Sequence, residues 1–369
     1  MNLLSVADPF AIVGSNAVGG VEQLIAALDS ALVEAGHTSL VIAAEGSRCD
    51  GELIGLPVSE AVTDDGAAAA LEALRALIER TLDEYTIDVV HVHGHDVLGA
   101  MPRGDVPVLA TLHQPPAWYP TRVFAHQQPS MRFTCVSHNQ RRSFFADAPV
   151  EVIPDGVDLT LFAPVANKDD YVVSLGRICP QKGFHLALEA ARLARVSAKL
   201  AGAISPYPSH LQYFRDSIVP RLDGERAFVG AVGGLRKRVL LARARALIVP
   251  SLIDATSSLA AMEALACGTP VIAMRRGALP EIVEHGVTGF LVDGFLDMVD
   301  AITNVSSISP EACRAAAERR FDGRRMKRAY LELYERMVLD APLSQTTASA
   351  ARTMHHVSNG TLTGFSNSR

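Results

Sequence analysis

Two short stretches hold the side chains best suited to chemistry. In SLGRICPQKG, residues 174–183, an extended run ends at Leu175-Gly176, and two cations, Arg177 and Lys182, follow before a helical pattern begins. A guanidinium forks two phosphate oxygens and an ammonium supplies a compact charge, so this pair at a strand's carboxyl end suits a diphosphate. A solvated basic loop is the alternative. In DATSSLAAMEALACGTPV, residues 254–271, the hydroxyls of Thr256, Ser257 and Ser258 read as N-caps and Cys267-Gly268 as a helix exit. Between them only Glu263 is charged. Its helical neighbours Leu259, Ala260, Ala266 and Cys267 offer no cation. A buried carboxylate without a partner is costly, so the partner of Glu263 is expected from another part of the chain or from a ligand.

Three further stretches carry weaker signals. GSNAVGG, residues 14–20, opens a helix, and Gly19-Gly20 lets an anion approach the helix N-terminus, although a structural turn needs the same residues. The loop lacks the G-x-G-x-x-G spacing of a dinucleotide site. HVHGHD sets His91, His93 and His95 in alternation, which suggests either a metal or hydrogen-bonded histidines at a strand end. No nearby carboxylate or cysteine completes a convincing metal set, so none is expected. His113, in ATLHQPP, stands where another strand stops before two prolines.

These residues need a scaffold that places loops side by side. Short apolar runs at 2–7, 39–44, 88–93, 106–112 and 132–137 alternate with helical patterns such as 21–36 and 69–82, the rhythm of a parallel sheet covered on both faces. EVIPDGVDLTLFAP, residues 151–164, breaks it and reads as a linker. The rhythm then resumes at 171–177, 198–202, 227–230, 246–251 and 270–274, with helices at 183–195, 234–244, the Glu263 segment and 279–284. A single long helical pattern over 308–338 follows, and residues 341–369, rich in Ser, Thr and Asn, read as a disordered tail. Two such sheets make an α/β protein with a cleft beyond the strands' carboxyl ends.

Composition narrows the classes. The 369 residues are 49% hydrophobic and 20% charged, enough for two cores. Five scattered cysteines form no C-x-x-C, which argues against a disulfide framework or zinc finger and for a reducing, cytoplasmic setting. The opening MNLLSVADPF lacks a basic region and a long apolar run, so neither a signal peptide nor a membrane span is expected. Net charge is −6, but residues 1–158 hold 8 Arg and no Lys against 21 Asp and Glu, a balance of −13 that leaves +7 for the remainder. That asymmetry disfavours nucleic acid and anionic lipid as partners and suits an anionic small ligand in the second half.

In order, GHTSLVIA, DVVHVH, ATLH, VIPDGVDLTLF, SLGRICPQKGF, IVPS, MEALACGTPVIA and GALPEIVEHGVTGFLV closely resemble the retaining GT-B glycosyltransferases of family 4, over roughly residues 2–340. The resemblance implies two Rossmann-like doubly wound domains facing across a cleft. Residues 1–158 would bind the acceptor and 159–320 the nucleotide sugar, with 321–340 a closing helix returning to the first domain and 341–369 the tail. It implies a nucleotide-sugar donor, UDP-glucose first and GDP-mannose next, and a soluble small-molecule or glycan acceptor. No cofactor and no bound metal are implied, and stable membrane association is not expected.

Residue by residue, the resemblance gives Arg177 and Lys182 the diphosphate and gives Glu263 the donor's ribose, so that its partner would arrive with the ligand. The N–H groups near Ser258 and Leu259 would face the diphosphate, and Gly19 and Gly20 would approach it from the first lobe. His113 would contact the donor sugar near its reacting carbon. The family's E-x(7)-E pair is broken here, because Ala255 stands at the first glutamate position; the adjacent Asp254 is the candidate substitute. Asp155 stands where the family often has Asn. Two rival readings follow: a donor-binding protein that has lost transfer, and a GT-B sugar-nucleotide epimerase or phosphorylase.

Overall fold

The computed structural model describes residues 1–340 apart from 58–63, 95, 97–98, 103, 120–121, 126–129 and 146–147. His95 and the proposed tail at 341–369 therefore lie outside the described residues.

Seven strands, Asn2–Val6 (β1), Thr38–Ala44 (β2), Glu52–Leu56 (β3), Val89–Val92 (β4), Val108–Leu112 (β5), Met131–Cys135 (β6) and Val150–Val152 (β7), form one sheet in the order β3-β2-β1-β4-β5-β6-β7. Six more, Tyr171–Leu175 (β8), Ser197–Ala201 (β9), Arg226–Phe228 (β10), Ala246–Val249 (β11), Val271–Met274 (β12) and Gly289–Val292 (β13), form a second in the order β10-β9-β8-β11-β12-β13. Every pairing is parallel. Central strands such as β5 and β12 are buried along their whole length, which is why they read as unbroken apolar runs.

The helices are Gly20–Glu34 (α1), Asp64–Glu84 (α2), Arg122–Ala125 (α3), His138–Arg142 (α4), Phe184–Leu193 (α5), Pro208–Tyr213 (α6), Gly234–Arg243 (α7), Leu259–Ala266 (α8), Leu279–Ile282 (α9), Phe295–Asn304 (α10), Pro310–Arg320 (α11) and Gly323–Asp340 (α12). Among the described residues no helix is long and apolar enough to cross a membrane.

The architecture departs from the sequence reading in places with identifiable causes. The segment read as linker begins with β7, whose three residues pair with Phe133–Cys135 at the sheet edge, too short a run to show a period. The pattern over 308–338 is two helices. At the break, the Val157 N–H donates to the Phe321 carbonyl at 2.8 Å and the Gly323 N–H to the Val157 carbonyl at 2.9 Å, pinning the interlobe segment. That approach is so close that a Cβ on Gly156 would lie 2.7 Å from Gly323 Cα. Beyond it, Met326, Tyr330, Leu333, Tyr334 and Met337 of α12 bury against Leu3, Leu24, Leu28 and Leu32. The last described helix thus completes the core of the first lobe.

Candidate active site

Strand order reverses between β1 and β4 in one sheet and between β8 and β11 in the other, the points at which open α/β sheets form crevices beyond the strands' carboxyl ends. The Arg177 and Lys182 loop follows β8, the Asp254–Ser258 loop follows β11, the glycine loop follows β1, and His113 ends β5. The motifs distant in sequence are neighbours because of this topology.

Arg177, Lys182, Asp254 and Ala255 line one cavity of about 600 Å³, which Gln114, Pro115 and Trp118 close from the first lobe. Arg177 is exposed and Lys182 half-buried. Burial holds the Lys182 ammonium below its usual range; the charge of Arg177 acts in the same direction and Cys179 opposes it. A bound dianion would relieve this strain between like charges.

Ser258 caps α8, its Oγ accepting from the Ala261 N–H at 3.3 Å. Thr256 and Ser257, read as caps from the sequence, do other work. The Thr256 hydroxyl donates to the His113 carbonyl at 2.7 Å, a bond between the lobes. The Ser257 hydroxyl is buried beside the Asp155 carboxyl and interacts with it. Burial pushes the Asp155 carboxyl up to about 6, with Ser257 only partly opposing the shift. The Ala255 main chain is clamped in turn. Gly277 has φ +56°, and a Cβ there would meet the Ala255 carbonyl oxygen at 2.3 Å.

His113 belongs to a buried polar chain. Its Nε2 lies 3.2 Å from His93 Nδ1, and the rings of His93 and His91 are 3.8 Å apart. His91 bonds the Tyr334 hydroxyl through Nδ1 and the Thr111 hydroxyl through Nε2, each at 2.7 Å. Desolvation lowers all three imidazoles, that of His113 to about 4, so the chain is neutral near pH 7. Among the described residues no cluster of three or more His, Cys, Asp or Glu is arranged to hold a metal.

In the glycine loop, Gly19 is the N-cap of α1. The Glu22 carboxylate folds back over it, so that a Cβ on Gly19 would lie 1.9 Å from Glu22 Oε2. Desolvation raises the Glu22 carboxyl, and Arg177 is among the charges it senses. Gly20 faces α8, where its own Cβ would lie 2.6 Å from Leu259 Cδ1.

Glu263 requires a correction. Its partner is in the protein: Lys237 of α7 donates to Glu263 Oε1 at 2.5 Å, with the two side chains 6% and 4% exposed. The same ammonium donates to Gln23 Oε1 of α1 at 3.0 Å. A helical wheel of α8 cannot show Lys237, which approaches from a neighbouring helix. Burial raises the Glu263 carboxyl while Lys237 pulls it down. Glu263 and Leu259 line a second interlobe cavity, of about 860 Å³, together with Asn16, Gln23 and Lys237. Five of the expected site residues divide between these two chambers, while Gly19, Gly20, His113 and Ser258 line neither of them. Arg177, Lys182 and Asp254 face one, and Leu259 and Glu263 face the other.

Two doubly wound parallel sheets facing across paired crevices define a GT-B protein. Comparison with known proteins places it further. Residues 18–161 match the family model described as Glycosyltransferase Family 4, and residues 169–307 match that of Glycosyl transferases group 1. The chain belongs to the family 4 glycosyltransferases.

It is 33% identical over 201 residues to the D-inositol 3-phosphate glycosyltransferase of Mycolicibacterium smegmatis, a match covering 49% of this chain and 44% of that protein. It is 35% identical over 188 residues to the Mycobacterium leprae protein of the same name, covering 45% and 42%. The matched stretch is thus less than half the length of these relatives. Among solved structures, AviGT4, a glycosyltransferase of avilamycin A biosynthesis, shares the fold with a TM-score of 0.68 at 24% identity, covering 92% of this chain and 99% of that one. Sucrose-phosphate synthase from Thermosynechococcus elongatus gives 0.76 at 20%, covering 91% and 99%. Anabaena HepE in complex with UDP and glucose gives 0.70 at 19%, again covering 91% and 99%.

Proposed function

We propose that this protein is a retaining, metal-independent hexosyltransferase that moves a sugar, glucose first, from a nucleoside diphosphate, UDP first, to a soluble small-molecule or glycan acceptor. The observation that carries this reading is the convergence of Arg177 and Lys182 on an interlobe cavity that Gln114, Pro115 and Trp118 close from the first lobe. Two cations facing the neutral Gln114, Pro115 and Trp118 suit a diphosphate, and they stabilise the charge it gains as the sugar departs. HepE, solved with UDP-glucose, offers the analogy for the donor. Exposed Trp118 at the first-lobe rim suits a carbohydrate acceptor, because a sugar's apolar face packs on an indole. In this reading neutral His113 orients the donor sugar without adding a positive charge beside the developing oxocarbenium. The domain roles follow the same division: residues 1–158 for the acceptor, 159–320 for the donor and 321–340 as the returning helix.

Screening nucleotide sugars for thermal stabilisation tests the donor, because a ligand that binds only the folded state raises stability by mass action. UDP-glucose is expected to raise the Tm most. No stabilisation by any nucleotide sugar overturns the reading.

One observation favours a second reading. Ala255 lines the cavity at the position of the missing family carboxylate, so the protein could bind donor without transferring it. Ala255→Glu distinguishes the two. Turnover appearing only in the variant supports a binding protein, whereas turnover in the wild type supports the enzyme with Asp254 as substitute.

A further inference from the structure

Lys237 is 5% exposed and Glu263 3%, so both charges have left water. A buried ion pair contributes little or nothing to stability over an apolar pair of the same volume. Stability alone therefore gives no reason for this one, which stands on the wall of an interlobe cavity. Its connections point to another role. Lys237 donates at once to Glu263 of α8 and to Gln23 of α1, and Gln23 Nε2 donates to the Ala17 carbonyl in the glycine loop at 2.8 Å. Beside this path, the Asn16 side chain lies against the start of α7, 2.8 Å from where a Cβ on Gly234 would stand. Four side-chain and main-chain groups thus form one continuous hydrogen-bonded line from the second lobe's carboxylate to the first lobe's glycine loop.

We propose that Lys237 is a positioning residue for nucleotide binding. Its ammonium holds Oε1 of Glu263, leaves the second oxygen for the hydroxyls of a ribose, and ties that carboxylate through Gln23 to the loop at residues 14–20. This deepens the donor reading above and rests on Glu263 facing the nucleotide. The carboxylate is set in place before the ligand arrives, so binding does not have to reorganise a buried ion, and occupancy at Glu263 is transmitted to the glycine loop.

The test uses the full chain and UDP alone. Calorimetric titration is expected to show Lys237→Met weakening UDP binding at least tenfold, roughly the consequence of leaving Glu263 unpaired. Lys237→Arg is expected to recover most of that loss, which a packing defect would not. In wild-type protein, UDP should slow hydrogen exchange of the amides at 14–20, and Gln23→Leu should abolish that protection. Wild-type protein that binds no UDP refutes the donor reading itself. Wild-type binding with Lys237→Met unaffected, with Lys237→Arg no better than Met, or with loop protection intact in Gln23→Leu, overturns the role of Lys237 alone. If Lys237→Met does not fold, Lys237→Arg and Gln23→Leu decide: UDP binding kept by the first and loop protection lost in the second support the role, and the converse of either refutes it.

Discussion

The hydroxyl of Thr256 and the carbonyl of His113 meet at 2.7 Å, joining the loop that follows β11 in one lobe to the end of β5 in the other. The bond sets the distance between the Asp254–Ser258 loop and the histidine that, in the proposed reaction, orients the sugar. Thr256→Val keeps the shape and deletes the donor. It is expected to cost about 1 kcal/mol of stability, the net worth of one such bond. Turnover should fall roughly tenfold or more through misplaced reacting groups, with kcat affected more than KM. Denaturant titration and steady-state kinetics measure the two effects.

The paired cations give a sharper loss. Arg177→Ala and Lys182→Ala should each reduce transfer roughly 100-fold or more, the scale of removing one preorganised charge donor, while the Tm stays within about 2 °C of wild type. The single tryptophan, Trp118, lines the same cavity and is 41% exposed, so its fluorescence is expected to change if UDP binds there. Turnover unchanged in either variant counts against the diphosphate assignment.

Asp155 carries a stability cost that asparagine would lack. Its folded carboxyl titrates at about 6 against an ordinary 3.8, so folding opposes its ionisation. The associated stability is present below about pH 4 and is lost as pH rises through 6. Asp155→Asn is expected to stabilise the protein by up to about 3 kcal/mol at pH 7.5 and by much less at pH 4. Chemical denaturation at the two pH values gives the difference.

The histidine chain has the opposite slope. A folded-state value of about 4 for His113, against 6.5 unfolded, gives stability that is whole above 6.5 and declines as pH falls toward 4, on the order of 3 kcal/mol for this ring. His91 and His93 shift in the same direction. His93→Asn should flatten the decline between pH 6.5 and 5 relative to wild type, as followed by urea midpoints.

Much of the fold was legible because it is local. Buried parallel strands announce themselves as apolar runs, and the period of a helix is written in residues three and four apart, so β1, β8, β12 and α8 could be placed from composition and spacing. The edge strands β3 and β7 were not legible. One mixes Glu and Gly with its apolar residues and the other has only three residues, and both depend on a neighbouring strand for definition.

The candidate site divides along the same line. The sequence alone determined that Arg177 and Lys182 share a loop at a strand's carboxyl end and that Glu263 has no partner on its own helix, since both are facts of short spacing. Only the tertiary structure decided that Lys237 meets Glu263, that Thr256 reaches His113 and that five of the expected residues divide between two chambers. In RKRVLLAR the lysine is one cation among several on a basic stretch, and nothing local distinguishes it. It is singled out when packing removes it from water and leaves one carboxylate within reach, because burial of an ion is a property of the assembled lobes and of no segment by itself.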